Sequence, residues 1–325
     1  MAKNKQNCSS GIGGQAVLEG VMMKNKDDYA IAVRKADGSI VTEVDFYKGI
    51  LGGTFVKKIP LVRGVLNFLD AMVLGMRTIN YSASVFADDE DSKPTGFDRA
   101  MEKIFKGKAE DVLMGFAAVI AVLMAVAIFI LAPFYLSAWL GGYIAERSWV
   151  LLIEGVLRIT IFISYVSVIS LLKDIRRLYA YHGAEHKCIN CIENGRPLTS
   201  QDVMLSSRFH RRCGTSFMFL VIFISIIVFF FISADNIWLR AGLRLVLIPL
   251  IAGFSYEIVR WAGNSDNFIA MLLSAPGLLI QRLTTREPDQ EMVEVAMQAV
   301  ETVFDWQGYQ NESRAQEVDE DWIEI

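Results

Sequence analysis

The chain has 325 residues, 53 % of them hydrophobic and 21 % charged, with a formal net charge of −4. That balance is skewed away from an ordinary soluble domain and toward a membrane protein. It holds no aromatic-interleaved basic stripe, which argues against nucleic acid as a partner.

The opening, MAKNKQNCSSG, is polar and lacks the apolar stretch of a cleavable signal peptide. Gly11–Gly14 reads as a flexible start; without a Lys-Ser/Thr ending it resembles a phosphate loop only superficially. Residues 29–35 and 39–47 are alternating, β-rich runs joined by Ala36-Asp37-Gly38, a hairpin signal. Between Lys57 and Met76, Val62, Val65, Leu66, Leu69, Met72, Val73 and Met76 recur at helical spacing. They predict an amphipathic helix lying on the bilayer, flanked by Lys57, Lys58 and Arg77. Residues 87–98 are acidic with Pro94 and Gly96, as a linker is. Residues 1–110 thus form a small N-terminal α+β region with a hairpin and an interfacial helix.

Residues 111–281 form the predicted membrane domain. A span needs roughly 20 apolar residues, and four segments qualify: Val112–Leu136, Val150–Leu172, Gly214–Ile232 and Leu243–Trp261. The second carries Glu154 and Arg158, four apart, which either pair on one helix face or meet an oligomer partner. Phe268–Ile280 is shorter, is broken by Pro276-Gly277, and reads as re-entrant or interfacial. The connection Lys173–Cys213 holds eight basic residues, whereas 137–149 and 233–242 hold one each, Arg147 and Arg240. By the positive-inside rule this is a multi-pass cell-membrane protein with both termini and the 173–213 connection in the cytoplasm. There the cysteines face a reducing compartment, where metal binding or catalysis is favoured over disulfides.

Residues 282–309 hold a soluble amphipathic helix. Met292, Val295, Ala296, Ala299, Val300 and Val303 share one face, and Pro288 sits near the first turn. Residues 310–325 read as a disordered acidic tail. From Glu287 on lie twelve of the 36 acidic residues and one of the 32 basic ones, so the rest of the chain is net positive and suited to anionic lipid.

All three histidines and three of the four cysteines fall between residues 182 and 213. His182-Gly-Ala-Glu185-His186 is the H-x-x-E-H pattern, the reverse of the zincin H-E-x-x-H. On a helix, His182 and His186 lie one turn apart and reach one ion, while Glu185 stands beside it as a proton acceptor. The pattern's context adds a downstream glutamate ligand, and Glu257 occupies that role here, or else pairs with Arg260 or Arg244. His210 and Cys213 begin the third span and would face the same cleft if residues 173–186 continue the second span's helix. The expected ligands are therefore His182, His186, His210, Cys213 and Glu257, with Glu185 catalytic and zinc the first candidate among divalent metals. Lys187, Arg211 and Arg212 would hold a negative substrate group, or simply anchor the helix ends. Gln15 and Glu19 would line the cleft, or hydrogen-bond the hairpin edge. The reaction expected is hydrolysis of a lipid-like substrate or a membrane protein at the inner interface.

Two other readings compete. Cys188-x2-Cys191, followed by His210-x2-Cys213, has structural zinc-knuckle spacing and would form a closed staple that leaves His182 and Glu185 unexplained. A non-enzymatic assembly factor or scaffold would use helices 62–76 and 290–304 and the acidic tail for partner contact. Four spans without paired broken helices offer little to a transporter.

Five blocks together carry a resemblance: Gly13–Met23 (GGQAVLEGVMM), Pro60–Gly64 (PLVRG), His182–Lys187 (HGAEHK), His210–Thr215 (HRRCGT) and Leu283–Pro288 (LTTREP). The chain resembles the YqhQ-like bacterial membrane proteins over residues 11 to about 305. That family has a domain of unknown function and is usually labelled a predicted metal-dependent enzyme. The resemblance implies that the HGAEHK and HxRCGT blocks belong to the family pattern while Cys188 and Cys191 do not. It therefore favours an open site of His182, Glu185, His186, His210 and Cys213.

Overall fold

The structure, a computed structural model, describes residues 9–87, 109–144, 146–232, 236–265 and 267–313. The predicted linker from residue 88, the basic residues 99–108 and the tail from residue 314 lie outside the described residues. The chain divides into two compact units. One takes the N-terminal part to Phe86, Ile169–Val221 and Ala252 onward; the other takes 87–168 and Ile222–Ile251.

The first unit opens with an antiparallel sheet of β1 (Gly13–Val17), β2 (Gly20–Asn25), β3 (Asp28–Arg34) and β4 (Ile40–Phe46), in that spatial order. The hairpin predicted around Asp37-Gly38 is β3–β4. Gly38 takes φ +86° and the Asp37 carboxylate accepts the Ser39 N–H at 2.8 Å. The β1–β2 hairpin was not predicted. Val17 pairs with Gly20 across a turn in which Glu19 takes φ +49°. Its glycines read as coil because the burial that holds them comes from elsewhere in the chain.

The helices follow in chain order: α1 (Val62–Ala87), α2 (Ala109–Val126), α3 (Ala132–Leu140), α4 (Arg147–Ile169), α5 (Lys173–Glu193), α6 (Ser200–Leu205), α7 (Gly214–Phe230), α8 (Ile237–Gly263), α9 (Phe268–Thr284) and α10 (Gln290–Val303). Strand alternation sorts the sheet's side chains into two cores. Val17, Met22, Ile31 and Val33 pack with Leu74 and Val85 of α1. Val21, Met23 and Ala32 pack on the other side with Ala184, Cys188 and Ile192 of α5 and Val295, Ala296 and Ala299 of α10. The amphipathic face expected of α10 is thus covered by its own chain, and Asp289 caps the helix by accepting the Met292 N–H at 2.8 Å. Gln310, assigned to the tail from sequence, is buried, and its side chain donates to the carbonyls of Ile192 and Arg196.

Three described helices are long and apolar enough to cross a membrane: Gly115–Tyr143, Ser148–Ile169 and Ile237–Gly263. The first runs through a π-helical turn at Ala127–Leu131, just before Pro133, whose ring breaks the regular hydrogen-bond ladder. The predicted span at 214–232 corresponds to α7, a shorter apolar helix of 17 residues at the low end of spanning length. The predicted break at Pro276-Gly277 does not occur. α9 runs through Pro276 to Thr284, with Gly277 set against Ser216, where a Cβ would not fit. Nor does α5 continue α4. Leu172 is extended (φ −66°, ψ 135°) and a separate helix starts at Lys173.

Within the second unit, α4 and α8 share a buried charge cluster. Glu154 accepts from Arg158 at 2.7 Å and from Arg244, and Arg158 donates to Ser225 of α7 at 2.8 Å. Arg244 stacks on Phe134 at 4.2 Å and Arg158 on Phe229 at 4.8 Å. The pair foreseen on one helix is therefore a three-residue network across two.

Candidate functional site

Three segments of the first unit build the site: α5, the turn 206–213 before α7, and a strap of residues 284–288 after α9. Gly183 lets the strap lie on α5, since a Cβ there would collide with the Arg286 carbonyl oxygen. The Arg286 N–H donates to the Tyr179 carbonyl at 2.8 Å. Lys187 and Arg208 both reach Glu287 of the strap, at 3.0 and 3.4 Å.

This scaffold aims two imidazoles. His182 Nδ1 lies 2.9 Å from the Thr284 carbonyl and His186 Nδ1 lies 2.7 Å from the Arg208 carbonyl. A carbonyl only accepts, so each Nδ1 carries a proton, and in the neutral ring the lone pair is on Nε2. The rings sit 4.3 Å apart, and Cys213 Sγ is 3.2 Å from His182 Nε2. One donor atom from each of His182, His186 and Cys213 lies within 4.8 Å of the other two. Tetrahedral zinc with ordinary Zn–N and Zn–S bonds separates neighbouring N and S ligands by about 3.5 Å. The donor set and its carbonyl-oriented tautomers therefore fit a metal site.

Electrostatics couple the group. Burial pushes the Cys213 thiol up, but the two imidazoles outweigh it and hold the thiol well below its usual range. Burial lowers His182, yet the facing sulfur and Glu185 raise it to about 9. A cation held here would have to displace the proton from the His182 Nε2. Glu185 is fully enclosed. Burial raises its pKa against the pull of both imidazoles, the Gly14 N–H is a hydrogen-bond partner, and its Oε2 has none. Gly14 packs directly on this carboxyl: a Cβ there would lie 2.9 Å from Glu185 Cδ.

The remaining candidates lie as follows. His210 is next to the group, 5.5 Å from the His186 ring, but its Nε2 faces Glu193 at 3.5 Å. Glu193 is buried, which would raise its pKa; His210, Arg212 and Ser10 overcome this and depress it to about 2. Glu257 is not in the donor group. It pairs with Arg63 and lies 3.4 Å from the Leu61 N–H, Arg260 adds a further positive charge nearby, and Arg244 pairs with Glu154 instead. Lys187 turns inward and donates to the carbonyls of Met204 and Ser206 at 2.8 Å. Arg212 bonds Glu193, and Arg211 is half-buried beside it. Glu19 is tied to Arg177 and to the Tyr181 hydroxyl. Gln15 packs on Gly75 and lines a cavity described below. Cys188 and Cys191 are fully buried in the apolar core, and among the described residues they join no converging donor group. The strap's role was missed from sequence, although Thr284 and Arg286 stood in the LTTREP block and Gly183 inside HGAEHK.

Fold and site together define a mainly helical protein of membrane type, whose small sheet-containing unit encloses a His/His/Cys cluster. The chain belongs to the family described as "Protein of unknown function (DUF1385)", whose model matches residues 59–306. It is similar to "Uncharacterized protein YqhQ" of Bacillus subtilis (strain 168), with 33 % identity over 301 residues, 91 % of this chain and 93 % of that protein. The YqhQ-like resemblance read from the five blocks therefore holds, while neither description names a metal or an activity. No solved structure matches the chain.

Proposed function

We propose that this protein is a membrane-bound, metal-dependent hydrolase. The observation that carries the reading is the convergence of three soft donors from α5 and the 206–213 turn, with both imidazoles oriented by backbone carbonyls. His182, His186 and Cys213 would hold the cation, zinc first by donor chemistry; three protein ligands is the count typical of a catalytic site. The bound ion would polarise a carbonyl or phosphoryl oxygen and lower the pKa of water toward ~7. Glu185, with an unpartnered Oε2 and a pKa raised by burial, accepts the proton there and returns it to the leaving group. Gly14 leaves this carboxyl uncovered by any side chain of its own.

In the same reading the chain crosses the membrane four times, α7 included. Both termini and the cluster face the cytoplasm, as the lysine and arginine distribution argues, and the substrate is lipid-like or a membrane protein. The burial of His186, Cys213 and Glu185 supports a second reading, in which the cation only orders the cytoplasmic connection of a scaffold protein.

Elemental analysis of purified wild type beside a His182→Ala/His186→Ala variant tests the metal. About one equivalent is expected in the first and little in the second; equally little in both refutes the proposal. Glu185→Gln separates the two readings. It should keep the metal and fail to complement a deletion strain, whereas full complementation leaves the scaffold.

A further inference from the structure

A cavity of about 510 Å³ lies beside the cluster, within the same unit. That volume is in the range of small-ligand sites, roughly 300–1,000 Å³. Its walls are the β1–β2 hairpin, α1, the segment around Tyr47–Lys57, and Tyr256 of α8. Four lysines (24, 26, 48 and 57) and two aspartates (27 and 70) line it, so the cavity is net positive.

Asp27 acts on Lys24, but the four lysines still outnumber the two acids. Asp70 is already engaged: it takes the Lys57 ammonium at 2.6 Å, the Ile50 N–H at 2.7 Å and the Tyr47 hydroxyl at 3.2 Å. It fastens the loop, and Lys57 meets its charge. Lys24 gives one N–H to the Tyr47 carbonyl at 2.9 Å and has two more. Tyr256 accepts from Asn67 at 2.7 Å, which leaves its own O–H to donate. The lining is thus rich in donors. Gly13 and Gly14 form part of the wall, and Glu185 lies directly behind Gly14.

Two further observations place the cavity at a lipid surface. It includes Tyr256 near the end of α8, a helix of spanning length, and α1 is pinned there by Gly64 against Tyr256 and by the Arg63–Glu257 pair. The loop at its rim exposes Ile50, Leu51, Phe55, Val56 and Ile59, Phe55 to 75 %, beside Lys57 and Lys58. Exposed apolar side chains among lysines at the end of a span are the pattern of a segment seated among anionic headgroups.

We infer that this cavity binds the phosphate-bearing headgroup of a membrane lipid. Lys24, Lys48 and Tyr256 supply the donors and the 50–59 loop dips into the bilayer. Its role as the substrate site rests on the hydrolase reading above; the binding itself does not.

The test uses the full chain in detergent, titrated by calorimetry with short-chain phosphatidic acid, with phosphatidylcholine of equal chain length, and with glycerol 3-phosphate. Phosphatidic acid should bind, phosphatidylcholine at least tenfold more weakly. Lys24→Gln/Lys48→Gln should lose on the order of tenfold or more of the phosphatidic acid affinity. Lys35→Gln, outside both the cavity lining and the 50–59 loop, should change it little. Unchanged helicity and metal content in the double variant would show that it folds. Glycerol 3-phosphate binding as tightly as the lipid would overturn the lipid assignment in favour of a soluble phosphate ester. No binding, or equal binding by the double variant, would overturn the site. His182→Ala/His186→Ala should retain binding, so a failed metal analysis leaves this inference standing.

Discussion

A methyl group at Gly183 has nowhere to go, because the Arg286 carbonyl oxygen occupies its place. Gly183→Ala should therefore push the strap off α5, withdraw the Thr284 carbonyl from His182, and cost roughly 1–3 kcal/mol as overpacking does. Thermal unfolding in detergent reads the loss, and a wild-type midpoint would contradict the packing. Glu193 makes a second, pH-dependent prediction. Its folded pKa of about 2 lies below the ordinary glutamate value of 4.5. The stabilisation is thus complete above about pH 4.5 and is lost as pH falls toward 2. At neutral pH it amounts to on the order of 3 kcal/mol. Glu193→Gln should lower stability by that order at pH 7 and flatten the acid limb of the stability profile. An unchanged acid limb would mean that Arg212 and His210 do not hold the carboxylate. The histidines and Cys213 were visible in the sequence as a cluster, because donor-rich side chains are scarce in an apolar chain. The choice among them was not. His210 and Glu257 have suitable chemistry, but Glu193 and Arg63 claim them, and those partners are 17 and 194 residues away along the chain.

At the level of elements, periodicity carried most of the information. α1 and α10 were legible because their apolar residues recur every three to four positions. β1 and β2 were not, because glycines mask a strand whose stability comes from α5 and α10 packing on it. Helix junctions were least legible. The sequence runs apolar into polar at 169–173 without a proline or glycine, yet α4 ends there. Within the second unit, α4 and α8 are joined by Glu154, the shared partner of Arg158 and Arg244. Glu154→Gln would leave two buried guanidinium groups without a counter-charge, a loss of about 3–5 kcal/mol. A drop in thermal-aggregation temperature in detergent is expected; an unchanged temperature would show that the stacked phenylalanines suffice.

For the whole molecule, the prediction concerns sidedness. Basic residues concentrate in the 173–213 connection, and the proposed orientation puts that connection and both termini on the cytoplasmic side. A green fluorescent protein fused after Ile325 should fluoresce in intact cells, since that fluorophore matures in the cytoplasm and fails after export in unfolded form. A well-expressed but dark fusion would reverse the proposed orientation.

Composition and periodicity alone established that this is an apolar, mainly helical chain with membrane-length segments and one concentrated patch of imidazole and thiol chemistry. Those properties are local: each is written in a window of a few to about twenty residues. Only the tertiary structure decided which donors meet, which carboxylates are already paired, and that Gly14 and Glu185 touch across 171 positions. Burial and pairing depend on segments that are distant in sequence, and no local pattern encodes which of them will pack together.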